Sequence, residues 1–81
     1  MRLAVLDVGS NTVHLVVVDG QPDGTFAPVA RERETLRLAE AAFPAMLLPD
    51  AAVEQLTATV ARMRDCADEL AADALVGFAT S

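Results

Sequence analysis

The stretch that decides the fold is Arg2-Leu3-Ala4-Val5-Leu6-Asp7-Val8-Gly9-Ser10-Asn11-Thr12-Val13-His14-Leu15-Val16-Val17-Val18-Asp19. Two apolar runs, residues 2–8 and 12–19, flank the turn signal Gly9-Ser10-Asn11. Each run is short, and the second is rich in β-branched residues, so both read as strands. A connection this tight joins them as an antiparallel hairpin. The turn also carries chemistry. Glycine lets the backbone approach a ligand closely and take φ > 0, and hydroxyl and amide side chains at Ser10, Asn11 and Thr12 stand beside the backbone N–H groups. Asp7, at the strand end, is placed to hold a divalent cation directly or through water. The plain alternative is an ordinary hairpin turn with a capping aspartate.

Outward from the hairpin, Gly20 to Gly24 forms a second turn with Pro22 and Asp23 inside it. Residues 26–39 read as a third, longer strand with Val29, Leu36 and Leu38 as its apolar points, and Ala39 to Pro44 as loop. Arg33 and Arg37 share a parity there and project on one face, where they either touch an anionic substrate or pair with Glu32, Glu34 or Glu40. Pro49 and Asp50 open a helix, because proline suits the first turn and Asp50 complements the dipole. Val53, Leu56, Val60, Met63, Ala67 and Leu70 then recur at alternating spacings of three and four, one apolar stripe. Residues 74–79 (Ala-Leu-Val-Gly-Phe-Ala) read as a last strand. The order β-β-β-α-β, with the helix as a right-handed crossover to a parallel fourth strand, defines an α/β class.

The chain has 81 residues, 53% of them hydrophobic and 22% charged, which suits one small domain and not disorder. Its formal net charge of −6 argues against nucleic acid and anionic membranes as partners. An anion site needs no lysine, since backbone N–H groups bind phosphate; all six basic residues are arginines. One cysteine, Cys66, permits no internal disulfide and fits a reducing cytoplasm; within the helical pattern it reads as a small packed residue. No apolar run reaches the roughly 18 residues of a membrane span. The single histidine, His14, makes no metal cluster and is expected to support the loop by a hydrogen bond. Asp19, Glu34 and Glu40 read as solvated strand and loop carboxylates, Arg62 and Arg64 as part of a charged helix face, and Met46 and Met63 as core.

Asp7 to Thr12 between two apolar strands resembles the first phosphate motif of the actin-like ATPase and sugar-kinase superfamily. Within it, Gly9-Ser10-Asn11 followed by Thr12-Val13-His14 looks like the exopolyphosphatase/guanosine pentaphosphate phosphatases, the Ppx/GppA family. Three further stretches are similar to that family: Glu34-Thr35-Leu36-Arg37-Leu38-Ala39-Glu40, the helix beginning near Leu48-Pro49, and Phe78-Ala79-Thr80-Ser81. The resemblance implies a ribonuclease H-like (actin-like ATPase) half-domain, truncated, with residues 1–81 as the N-terminal part of the first lobe. It implies a Mg²⁺-dependent acid-anhydride hydrolase that releases terminal phosphate from inorganic polyphosphate or guanosine pentaphosphate. Gly9, Ser10, Asn11 and Thr12 would cradle phosphate, Thr80 and Ser81 would sit near it, and Asp7 would help to hold the metal. The family's arginine just past Ser81, its glutamate and its second, glycine-rich motif lie outside this sequence. The segment by itself is therefore expected to be inactive, to need the remainder of its parent, and to self-associate through residues 74–79. The alternatives are a non-catalytic polyphosphate- or nucleotide-binding module and an ATP-using kinase-like piece, the latter disfavoured by the Gly-Ser-Asn triplet.

Overall fold

A computed structural model describes residues 1–37 and 49–79. Strand β1 (Arg2–Val8) pairs antiparallel with β2 (Thr12–Gly20), and β2 pairs antiparallel with β3 (Phe26–Thr35). Helix α1 (Asp50–Glu69) then carries the chain back to β4 (Ala74–Ala79), which lies parallel to β1. The sheet order is β3-β2-β1-β4. A strand of like direction cannot follow through a tight turn, so the helix is the connection that makes β4 possible.

Alternation along the strands sorts the side chains onto two faces. Ala4, Leu6, Val13, Leu15 and Val17 are buried on one face, together with Met63 and Ala67 of α1. Burying an aliphatic side chain of this size is worth about 1.5–3 kcal/mol, so this layer is what holds helix to sheet. The buried helical positions are Thr59, Met63 and Ala67, flanked by half-buried Leu56, Val60, Cys66 and Leu70. The stripe read from the sequence is therefore rotated slightly. Val53 is 44% exposed, while Thr59, four residues before Met63, is covered.

The third strand is shorter than the expected 26–39. It ends at Thr35 because the Leu36 and Arg37 amides both donate to the Asn11 carbonyl, at 2.8 and 3.1 Å. Arg37 takes φ 52°, a left-handed value that no strand sustains. The shared strand parity of Arg33 and Arg37 consequently does not hold. The strand also carries a bulge: Pro28 pairs with Val18 and Ala30 with Val17, leaving Val29 as the extra residue. Proline, lacking an N–H, is tolerated at such a place on an outer strand. Leu38, Glu40, Met46 and the expected loop from Ala39 to Pro44 lie outside the described residues.

Both ends of α1 are built from backbone geometry. Pro49 is the N-cap and its carbonyl accepts from Ala52 and Val53 at 3.0 and 3.1 Å, so the first helical residue is Asp50, one later than the sequence suggests. At the other end, Ala71 at φ 57° donates to Asp68 O and Ala72 to Ala67 O, a Schellman closure without its usual glycine. No basic residue lies in the last turn. Arg2 of β1 supplies the cation instead, its Nη1 donating to Leu70 O at 2.6 Å. The same guanidinium grips Asp19 through Nε at 2.8 Å and Nη2 at 3.1 Å, and the Arg2 amide donates to Asp73 at 2.7 Å. Asp19, though still partly solvated, is thus also an ion-pair partner, and the hydrogen bonds from Arg2 hold its pKa below the usual carboxylate range.

Candidate functional site

The segment between β1 and β2 lies at one end of the sheet. Gly9 N donates to Thr12 O at 2.9 Å and closes the turn. Asn11 O accepts the two amides from the end of β3 and ties the turn to that strand. Gly9 and Thr12 are half-buried; Ser10 and Asn11 are exposed. Among the described residues the Ser10 and Asn11 amides donate to no backbone acceptor, and neither side chain makes a hydrogen bond. Two adjacent N–H groups and two polar side chains, on exposed residues, are therefore uncommitted among the described residues. That arrangement suits an anion, which gains from several converging donors. Gly9 does not take the left-handed φ allowed for in the sequence; Gly24, in the second turn, does, at 87°. The Gly9 amide is also committed within the turn, so its part in any cradle would not be as an N–H donor.

Asp7 is half-buried near the end of β1, opposite His14 on β2 and Phe78 on β4. His14 in turn stands opposite Arg33 on β3. The row Arg33–His14–Asp7–Phe78 crosses the whole sheet on the face away from α1, immediately beneath the turn. The hydrogen bond expected from His14 to the loop is not formed among the described residues. Thr80 and Ser81 lie outside the described residues. Glu34 is joined to Arg62 of α1 at 3.4 Å; of the expected partners of Arg33 and Arg37, Glu40 lies outside the described residues.

Mg²⁺ is the cation the resemblance implies. Magnesium is commonly held by one or two carboxylates together with substrate phosphates and water. A half-buried carboxylate beside a turn with uncommitted amides would fit that demand, with Asp7 as the residue that would hold the ion. No group of three or more His, Cys, Asp or Glu that could hold a metal by itself occurs among the described residues. Sequence reasoning reached Asp7 and the turn but missed the register that adds His14 and Arg33. Gly9-Ser10-Asn11 taken alone as a symmetric turn would place residue 7 opposite 13; the observed pairing of Asp7 with His14 and Arg2 with Asp19 centres the reversal between Ser10 and Asn11, one register step away.

A mixed four-stranded sheet with the order β3-β2-β1-β4 and a helix crossing on one face is the half-domain of the actin-like ATPase superfamily. Among solved structures, a Ppx/GppA family member from Aquifex aeolicus superimposes with a TM-score of 0.89 at 20% identity, covering 98% of this chain and 26% of that one. An exopolyphosphatase from Cytophaga hutchinsonii does so with a TM-score of 0.89 at 25% identity, covering 100% and 26%. In sequence, the chain is 41% identical to exopolyphosphatase 1 of Mycobacterium leprae and 42% identical to that of Mycobacterium tuberculosis, in each case over all 81 residues. It is a segment of Ppx/GppA type, and the relatives that define it are hydrolases. The chain spans 24% of the length of these curated relatives. No protein-family model matches it.

Proposed function

We propose that this chain is the phosphate-binding segment of a phosphoanhydride hydrolase that releases terminal phosphate from inorganic polyphosphate or guanosine pentaphosphate. The observation that carries the reading is the Asp7–Thr12 turn, with amides at Ser10 and Asn11 uncommitted among the described residues, in a chain similar throughout to exopolyphosphatases. Ser10 and Asn11 donate hydrogen bonds to the terminal phosphate oxygens, and Gly9 and Thr12 set the backbone around them. Asp7 holds Mg²⁺, which when bound neutralises charge on the phosphoanhydride. Transfer of a phosphoryl group depends on such positioning and neutralisation more than on covalent chemistry by the protein. Thr80 and Ser81 join the phosphate site by the resemblance alone. The proposed setting is the cytoplasm; no helix among the described residues is long and apolar enough to cross a membrane.

A second reading, a polyphosphate- or nucleotide-binding module without turnover, is favoured by one observation. Asp7 is the carboxylate that the described fold brings to the turn, and assigning it to the metal leaves it unavailable as a general base. Phosphate release from polyphosphate and from guanosine pentaphosphate, measured with Mg²⁺, with chelator, and for Asp7→Ala, separates the readings. Release lost with chelator and with Asp7→Ala supports the hydrolase. Binding without release, lost in the same two controls, supports the module. Neither binding nor release overturns both.

The proposal extends to association. On the outer strand β4, Leu75, Val76 and Phe78 are 41%, 51% and 48% exposed, and no charged or proline residue interrupts Ala74–Ala79. An uncovered apolar edge of this kind pairs with another strand, here from a second copy or from the remainder of a longer parent. Sedimentation as a compact monomer at high concentration would count against self-pairing.

A further inference from the structure

The stretch Arg31-Glu32-Arg33-Glu34 of β3 alternates charge at the period of a strand, so the sheet separates the two signs. The register places Glu32 opposite Leu15 and Glu34 opposite Val13, both on the helix face. There Glu34 meets Arg62. Arg33 stands opposite His14 and Arg31 opposite Val16, on the face that α1 leaves open. Both arginines are exposed, and neither makes a hydrogen bond or ion pair among the described residues. Arg2 and Arg62, by contrast, are held by Asp19 and Glu34. In a chain of net charge −6, two uncommitted guanidinium groups on one face form a local positive island. With His14 and Val16 they line a shallow cavity of about 290 Å³, completed by Leu15 and Glu32, whose side chains alternation turns to the other face.

The island is continuous with the turn. Arg33 is opposite His14, two residues beyond Thr12, and Arg31 lies two residues further along the strand. At about 3.4 Å per residue, the two stand roughly 7 and 14 Å from the turn along the strand direction. An orthophosphate held at Ser10 and Asn11 is too small to span that distance. A linear chain of phosphates, charged at every unit, reaches both. Guanidinium forks match phosphate oxygens in pairs, and their weak hydration lowers the cost of contact. We propose that Arg31 and Arg33 form a second anion-binding subsite that takes internal phosphates of a linear polyphosphate whose end lies at the Asp7–Thr12 turn. This inference rests on the reading of that turn as a phosphate site, and it selects polyphosphate over guanosine pentaphosphate as the better ligand.

The test is calorimetric titration of the 81-residue chain with long-chain polyphosphate, guanosine pentaphosphate and orthophosphate at two salt concentrations. Two double variants accompany it, Arg31→Gln/Arg33→Gln and Ser10→Ala/Asn11→Ala, with circular dichroism to establish that each is folded. The arginine variant is expected to lose roughly tenfold in affinity for long-chain polyphosphate and to show a salt dependence shallower by about one to two in log–log slope. Its orthophosphate binding stays unchanged, whereas the turn variant weakens every ligand. Arg31→Lys/Arg33→Lys retains most of the polyphosphate affinity. The subsite is overturned if Arg31→Gln/Arg33→Gln binds polyphosphate as the unaltered chain does, if guanosine pentaphosphate loses as much as polyphosphate, or if the unaltered chain binds no polyphosphate. If the arginine variant alone matters and the turn variant changes nothing, the assignment of the turn falls instead.

Discussion

The two turns of the hairpin sheet, residues 9–11 and residues 21–25, both reverse the chain between neighbouring antiparallel strands, but they commit their polar groups in opposite ways. The second turn is closed on itself. Gln21 N donates to Thr25 O at 2.8 Å, Gly24 N to Gln21 O at 3.0 Å, and Asp23 Oδ1 accepts from both the amide and the hydroxyl of Thr25, at 3.0 and 2.6 Å. Its glycine uses the left-handed conformation that the reversal demands. The first turn makes one internal bond and lends a carbonyl to the end of β3, while its Ser10 and Asn11 amides and side chains stay uncommitted among the described residues. A turn that satisfies itself exists to reverse the chain. A turn that is held from outside and leaves its donors uncommitted has the capacity to receive something.

The comparison is most sharply broken at the first turn. Ser10→Ala/Asn11→Ala should weaken phosphate binding at least tenfold, since hydrogen bonds to charged groups are worth about 1.5–3 kcal/mol each, and leave the melting temperature nearly unchanged. Titration and thermal unfolding of one sample measure both. A fall in stability without a fall in binding would make this turn the same kind as the second. Gly24→Ala should do the reverse. A Cβ there meets nothing within 4 Å, so the cost is that of φ 87° alone, about 1 kcal/mol of stability, with ligand binding intact. The smallest effect belongs to Asp23→Asn. The Thr25 hydrogen bonds hold the Asp23 carboxyl below the usual carboxylate range. A depressed folded pKa contributes stability that is present above the unfolded value and is lost as pH falls through the folded one. The variant should therefore melt lower than the unaltered chain at neutral pH, and the two curves should converge well below pH 4, as followed by circular dichroism across an acid series.

The same two turns explain how much of the molecule was legible in its sequence. Strands β1, β2 and β4 and helix α1 follow from local patterns: β-branched runs, a proline–aspartate start and spacings of three and four. The end of β3 did not follow, because it is decided by Asn11, some 25 positions earlier, whose carbonyl captures Leu36 and Arg37. The helix stripe was displaced toward Thr59, which is buried while Val53 is left in solvent, because which positions of the stripe are covered depends on how the helix seats on the sheet. In the candidate site, Asp7 and the Gly-Ser-Asn turn were visible through residue type and resemblance. The open-face row through His14 and Arg33 was not, since it depends on the register of three strands. The clamp of Arg2 on Asp19 and Leu70 needed both the hairpin register and the position of the helix end, and a turn of residues 9–11 would have set residue 2 opposite 18 instead.

That clamp, together with the pairing of β1 and β4, sets a timetable for making the protein. One side of β1 finds β2 within a dozen residues of chain, but its other side waits for residues 74–79, and the Arg2 amide waits for Asp73. At a synthesis rate of about 5–20 residues per second, the hairpin is complete several seconds before its parallel partner exists. During that interval β1 presents an unpaired edge on the ribosome, and α1, emerging just ahead of β4, is the element that determines which strand closes it.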